Sequence, residues 1–223
     1  MTTISALQNE YFQALCMLDE SRACDVIHRG LDNGFSPEDL LIKIVIESID
    51  RMNESLLVDQ EINLAQHYLS ARISENMAML LLAKFPSGGD SPGCIVLGTS
   101  IGDYHGLGKK IVAGCLRAHL FQVIDAGTHV SPEQFVDLAI THNAQIIGIS
   151  SMMAHTAIGP EGALGVRKIL QEQGLESRIK IMVGGAPYRF DRELYRRVQA
   201  DGWGENGLAA VETARRLIME VTP

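Results

Sequence analysis

Apolar and polar positions change rhythm once along the chain. Up to about residue 84 the pattern is all-helical. Helices are expected over residues 4–18 and 21–31, from Ser36 through Met52, and within residues 61–82, a stretch rich in Ala, Leu and Met. In Ser36-Pro37-Glu38-Asp39, Ser36 reads as an N-cap, with Pro37 at the first helical position. Gly34 is a reasonable stop for the second helix. Four such segments predict a four-helix bundle. Pro86-Ser87-Gly88-Gly89-Asp90-Ser91-Pro92-Gly93 then breaks both helix and strand, so it reads as a linker.

Beyond it, short β-rich apolar runs alternate with helical ones. The strands are expected at residues 95–98, 122–125, 146–150 and 179–183, and a weak last one near Asp201-Gly202-Trp203-Gly204. The helices are expected over residues 108–120, 132–142, 160–172, 191–199 and 208–219. This alternation predicts an α/β fold, a doubly wound five-stranded parallel sheet of flavodoxin-like (Rossmann-like) type. Right-handed crossovers give the strand order 2-1-3-4-5. The expected organisation is thus a helical domain over residues 1–85, a linker over 86–93 and an α/β domain over 94–223. Ligands on such sheets bind outside the carboxyl ends of the strands, where strands 1 and 3 part.

One run falls at that place: Gly102-Asp103-Tyr104-His105-Gly106-Leu107-Gly108-Lys109-Lys110 follows the first strand and opens a helix. A histidine on a glycine-loosened loop, with a carboxylate two residues before it, can present one ring nitrogen to a metal while the carboxylate holds the other. One histidine cannot hold a bare ion, so the remaining ligands would come from elsewhere, such as a macrocycle. Taken alone, His105 also reads as an ordinary exposed loop histidine. Gly184-Gly185 taken alone reads equally as a tight strand-to-loop turn. A dinucleotide fingerprint fails because Ile111 stands where the third glycine belongs, and a phosphate loop fails because Lys110 replaces the required Ser or Thr.

The spelling Asp-x-His-x-x-Gly (Asp103, His105, Gly108), followed by Ser150-Ser151-Met152 and Gly184-Gly185, resembles the cobalamin-binding domain of methionine synthases and of methyltransferase corrinoid proteins. The second motif has methionine where that family has leucine. The resemblance extends over Asp125-Ala126-Gly127-Thr128-His129-Val130-Ser131-Pro132-Glu133-Gln134-Phe135 and over Ala200-Asp201-Gly202-Trp203-Gly204, with tryptophan where tyrosine is common. It covers residues 94 to about 215, and the helical half is a looser match to a cap over the upper corrin face.

The resemblance implies cobalamin, or another corrinoid, bound with its own base displaced. His105 would be the lower axial cobalt ligand through Nε2, Asp103 would accept from Nδ1–H, and Ser150 would bond Asp103 in turn. Gly102, Tyr104, Gly106, Leu107, Gly108, Met152, Thr156, Gly184, Gly185, Gly202 and Trp203 would complete the binding set, the glycines leaving room for the displaced tail. His155 is a further candidate for the tail pocket. His67, Tyr68, Met77 and Met79 are candidates for facing the upper ligand, with ordinary bundle core or surface as the alternative.

The implied role is a carrier subunit rather than a complete enzyme. It would take a methyl group on cobalt from one partner methyltransferase to another, with a corrinoid reactivation protein as a further partner. The other reading is a cobalamin-dependent sensor, responsive to light, that acts through protein contacts. Residues 1–35 are too short and too acidic to supply the DNA-binding domain such sensors often carry.

Bulk properties narrow the partners. Net charge of −8 argues against direct nucleic-acid binding. Leu40 to Ile49 is too short and too charged to span a bilayer. Cys16, Cys24, Cys94 and Cys115 form no Cys-x-x-Cys pair and read as reduced and mostly buried. With no signal peptide visible after Met1, a cytoplasmic location is expected.

Overall fold

The computed structural model describes residues 3–54, 64–85 and 91–221. The chain divides into two compact units, Met1–Pro86 and Ser87–Pro223. Residues 86–90 of the expected linker lie outside the described residues.

The first unit is helical. Helix α1 spans Ile4–Cys16 and α2 spans Glu20–Asp32, capped by Thr3 and Asp19 side chains that accept from backbone N–H groups three residues on. Gly34 follows at φ +84, a left-handed position that glycine takes without strain. Ser36 caps α3 (Pro37–Leu40), accepting from Asp39 N–H at 3.0 Å.

The expected single helix from Ser36 changes pitch. A π-helical turn occupies Leu41–Ile46 before α4 (Glu47–Glu54) resumes. The wider turn places Leu41, Ile44 and Val45 inside. Helix α5 spans Leu64–Leu82, and residues 61–63 of its expected start lie outside the described ones. The bundle core includes Leu7, Tyr11, Leu15, Ile27, Leu40, Ile44 and Leu81. Gly30 of α2 gives way to Leu40, whose Cδ2 would lie 2.6 Å from a Cβ there.

The second unit is a five-stranded parallel sheet of order β2-β1-β3-β4-β5. In chain order the elements are β1 (Cys94–Ser100), α6 (Leu107–Ala118), β2 (Gln122–Val130), α7 (Pro132–Thr141), β3 (Ile146–Ser150), α8 (Ala154–Ile158) and α9 (Ala163–Glu172). There follow β4 (Lys180–Gly184), α10 (Ala186–Phe190), α11 (Leu194–Arg197), β5 (Gly202–Gly204) and α12 (Gly207–Met219). Helices α6 and α12 pack together, as do α7 and α9, on opposite faces of the sheet.

The central strands are buried on both faces, which is why they read as continuous apolar runs rather than alternating ones. Val96, Ile147, Ile149, Ile181 and Val183 meet Phe135, Val136, Val166 and Leu170 in one core. Gly98 leaves room for Phe135, whose ring atoms would lie 2.8 Å from a Cβ at that position.

Strand β2 runs five residues beyond its expected end. Its pairing with β1 shifts register twice, and Gly127 and His129 hold positive φ. Expected helices 160–172 and 191–199 are found shortened as α9 and α11, and each is preceded by a short helix, α8 or α10, that the sequence pattern does not predict.

The register of the sheet sets up the site. Thr99 lies opposite Ser150, Ser150 opposite Gly184, and Gly184 opposite Gly204. The carboxyl ends of four strands thus form one row of small residues, spaced about 4.8 Å from strand to strand.

Phe135 has no exposed surface and packs in the core against Gly98 of β1. Phe135→Ala should therefore destabilise the second unit by about 3–5 kcal/mol. Urea unfolding followed by Trp203, the single tryptophan, checks this. An unchanged midpoint would contradict the packing described.

Candidate functional site

Asp103 lies at the centre of the site, in the loop between β1 and α6, with no exposed surface. Four donors converge on its carboxylate. Oδ1 accepts from the His105 backbone N–H at 3.0 Å and from His105 Nδ1 at 2.8 Å. Oδ2 accepts from the Met152 backbone N–H at 2.7 Å and from the Thr156 hydroxyl at 3.1 Å. Burial alone would raise the Asp103 pKa, but the bonds from Met152, His105 and Thr156 together hold it below the ordinary carboxylate range. The carboxylate is therefore charged at neutral pH.

A charged carboxylate can only accept, so Nδ1 of a neutral His105 ring carries the proton. That leaves the lone pair on Nε2. The His105 side chain is 58% exposed, so this lone pair belongs to a ring open to a ligand. Among the described residues no group of three His, Cys, Asp or Glu side chains could hold a metal ion. His105 can thus contribute one ligand to a metal that brings its own others.

The loop itself is tied down from two sides. Thr99 Oγ1 donates to the Asp103 carbonyl at 2.6 Å, and Asp103 N–H bonds the Ser100 carbonyl at 3.0 Å. From β2, His129 N–H lies 3.1 Å from both the Asp103 carbonyl and Thr99 Oγ1. His129 Nδ1 accepts from Gly102 N–H at 2.8 Å. The His129 ring also stacks on Tyr104, with centroids 5.0 Å apart and planes 8° from parallel.

Helix α6 starts at Leu107 after Gly106, which provides no side-chain cap. In its first turn, buried Lys109 reaches across to Asp125 of β2 in an ion pair. Burial would raise the Asp125 pKa. The bonds from Lys109 and Gly127 N–H, with the charges of Lys109 and Arg117, lower it on balance.

Ser150 does not bond Asp103, contrary to the expectation from sequence. It ends β3 on the side of α6, its hydroxyl 3.9 Å from where a Cβ on Gly108 would be. Asp103 is reached from the loop beyond, by the Met152 backbone and by Thr156 of α8. Met152 contributes to the carboxylate through its N–H, while its side chain is exposed. His155 is exposed as well.

The two glycines at the end of β4, Gly184 within it and Gly185 just after, differ. A Cβ on Gly184 would approach Gly204 O at 3.1 Å. Gly185 has φ +108, and a Cβ there would fall 2.0 Å from Ser151 O, so the chain's own β3 loop demands glycine at this position. Ser151 N–H bonds Gly184 O at 2.9 Å and completes that crossing. Gly202 makes room for Thr213 and Arg216 of α12, and Trp203 packs partly buried against the core. Among the described contacts, none joins Gly202 or Trp203 to the His105 loop.

Tyr104, Met152, Met153, Ile158 and Phe190 are exposed large apolar side chains on segments that follow β1, β3 and β4. In the helical unit, Tyr68 and Met79 are exposed and Met77 is core. The His67 side chain lies outside the described ones.

Sequence reasoning missed His129 and the backbone of Met152. The only signal for His129 was its place at the carboxyl end of the strand beside β1.

Comparison with known proteins bears on these features. The model of the B12 binding domain family matches residues 93–212. Dimethylamine corrinoid protein 3 of Methanosarcina acetivorans is 30% identical over 98% of this chain and 100% of its own length. The solved monomethylamine corrinoid protein of Methanosarcina barkeri superposes with a TM-score of 0.86 at 22% identity, over 96% of this chain and 100% of that one. A chain of the methanol:cobalamin methyltransferase complex of the same organism gives a TM-score of 0.50 at 20% identity, over 97% of this chain and 81% of that one. Among the described residues, no helix is long and apolar enough to cross a membrane.

Asp103 carries a pH signature. Its folded pKa lies below the unfolded value, so its contribution is complete above about pH 4 and is lost as pH falls through the folded pKa. Asp103→Asn turns an amide toward donors that need an acceptor and should lower stability at about pH 7 by about 1–3 kcal/mol. In urea titrations of the cofactor-free proteins, the deficit should shrink as pH falls below about pH 4. A deficit equal at both ends would mean the carboxylate charge is not what the four donors hold.

Proposed function

The chain belongs to the B12 binding domain family, and on that premise we propose that it holds a corrinoid through His105 and carries a methyl group on cobalt between partner methyltransferases. The observation behind this is the buried Asp103, which points Nδ1–H of His105 inward and leaves Nε2 as the exposed lone pair. A corrin would bring four nitrogens of its own to cobalt, and His105 would hold the metal with one more. One imidazole, with no cluster of further ligands among the described residues, is the donor set that suits it.

Other features support a broad flat ligand at this end of the sheet. The row Ser150, Gly184 and Gly204 has little side-chain bulk to block a heterocycle lying along the strand ends. Met152, Met153, Ile158 and Phe190 offer apolar contact to a macrocycle, and methionine adapts its shape to the surface it meets. Bound there, a corrinoid supplies a cobalt whose electron pair can accept a methyl group and later release it.

The chain's own residues do the remaining work. His105 supplies the lower nitrogen, Asp103 fixes its tautomer, and Met152 N–H and Thr156 keep Asp103 charged. A hydrogen bond from the imidazole to a charged acceptor raises the basicity of the other nitrogen and tunes the metal above it.

The relatives named above are methylamine corrinoid proteins, and one structural neighbour comes from a methyltransferase complex. Both support a carrier subunit that works with partner methyltransferases. Under this reading a corrinoid reactivation protein is a further partner.

Protein mixed with hydroxocobalamin should keep its colour through gel filtration. After mild one-electron reduction to cobalt(II), its EPR spectrum should show nitrogen hyperfine splitting that changes on labelling histidine with nitrogen-15 and disappears in His105→Ala. After strong reduction, the loaded protein should take a methyl group from carbon-13 methyl iodide and retain it on a second filtration. Free elution of every cobalamin form would refute corrinoid binding. Retained corrin that fails to take up the label would refute the carrier role alone.

A further inference from the structure

We infer that His129 is a positioning residue for the cobalt-binding loop, strapping Gly102, Asp103 and Tyr104 to β2 so that His105 is held ready before any ligand arrives. This deepens the reading of His105 as a metal ligand and rests on it. Asp103 fixes the imidazole ring, its tautomer and its direction. The bond from the His105 backbone N–H to Asp103 Oδ1 fixes the turn between the two, but not the approach of the loop through Gly102.

The loop needs such a hold. Gly102 stands at φ +81 and Gly106 precedes the helix. Glycines on both sides of the histidine leave many backbone conformations open, and ordering them opposes binding. Three contacts from His129 close that freedom. Its backbone N–H donates to the Asp103 carbonyl at 3.1 Å. Its Nδ1 accepts from Gly102 N–H at 2.8 Å. Its ring lies flat on Tyr104. The residues held are the three that lead to His105.

The chemistry of these contacts is specific. A backbone N–H can only donate, so Nδ1 of His129 presents a lone pair and the ring proton is on Nε2. The ring is then fixed both by that bond and by the stack, and an aliphatic side chain supplies neither.

The backbone of β2 is shaped for the task. The β1–β2 pairing breaks register between Leu97 and Gly98 and again between Gly98 and Ser100, and Gly127 takes φ +90. Such bulges re-aim side chains at strand ends. His129 itself holds φ +58, a left-handed conformation that is uncommon for non-glycine residues but that histidine adopts more readily than most. A strand end that departs this far from regular pairing delivers one side chain over one loop.

The test uses two variants and two readouts on the full chain. His129→Ala removes the acceptor and the stack. His129→Asn keeps a short polar acceptor on a residue that tolerates the left-handed backbone, but loses the ring. In the cofactor-free protein, amide exchange at Gly102 should speed up by roughly tenfold or more in His129→Ala and return most of the way in His129→Asn. In protein loaded with cobalamin, the fraction of cobalt(II) showing histidine nitrogen hyperfine should fall to about half or less in the alanine variant and recover in the asparagine one. If His129→Ala does not fold, Tyr104→Leu, which removes only the stack, should raise exchange at Gly102 and lower the same fraction.

Histidine hyperfine in the parent with parent-like exchange and hyperfine in the variants overturns the positioning role and leaves His105 ligation standing. A parent without histidine hyperfine overturns the ligation on which the inference rests. Exchange at Gly102 then decides on its own whether His129 straps the loop.

Discussion

A carboxylate withdrawn wholly from water is stable as an anion only where hydrogen-bond donors replace its hydration. Asp103 is such a group, and much of the second unit is organised around supplying its donors. One comes from its own loop as a backbone N–H, one is the imidazole it orients, and two arrive from the segment after β3. Because β1 and β3 are adjacent parallel strands, their carboxyl ends bring these pieces together without any long connection. The exposed nitrogen of His105 is the outward result of that inward arrangement.

Much of this architecture is legible in the sequence because its physical causes are local. Strands buried on both faces must be continuously apolar, and Ile146-Ile147-Gly148-Ile149 is. Parallel strands joined by right-handed crossovers leave few strand orders, and the one expected is the one found. The π turn at Leu41–Ile46 was not legible, since a run of apolar residues satisfies a helical pattern at either pitch. The short helices α8 and α10, which precede the expected ones, were missed for a different reason. Short helices on the rim of a sheet have too few turns for periodicity to mark them. The extension of β2 through Val130 was lost because positive φ at Gly127 and His129 breaks the alternation by which a strand is recognised.

The site divides in the same way. Asp103 and His105 are two residues apart, so their pairing follows from spacing on one loop. The role given to Ser150 did not follow, because side chains at a strand end point to fixed sides and Ser150 points toward α6. The Met152 contribution comes from a backbone N–H, which every residue but proline carries and which leaves no mark in sequence. His129 is distant in sequence and meets the loop only through the bend in β2. Gly185 reads as room for a ligand until the Ser151 carbonyl is seen to occupy the place of its Cβ.

The two bonds from beyond β3 to Asp103 Oδ2 turn the length of a loop into a chemical property. Met152 and Thr156 are one helical turn apart, and both must arrive at the same oxygen. Adding or deleting a residue between them would swing one donor away while leaving every side chain of the β1 loop unchanged. A histidine–aspartate pair grafted onto another parallel sheet would therefore inherit the spelling of this site without its aim. The transferable unit is the pair of neighbouring loops, cut to matching lengths.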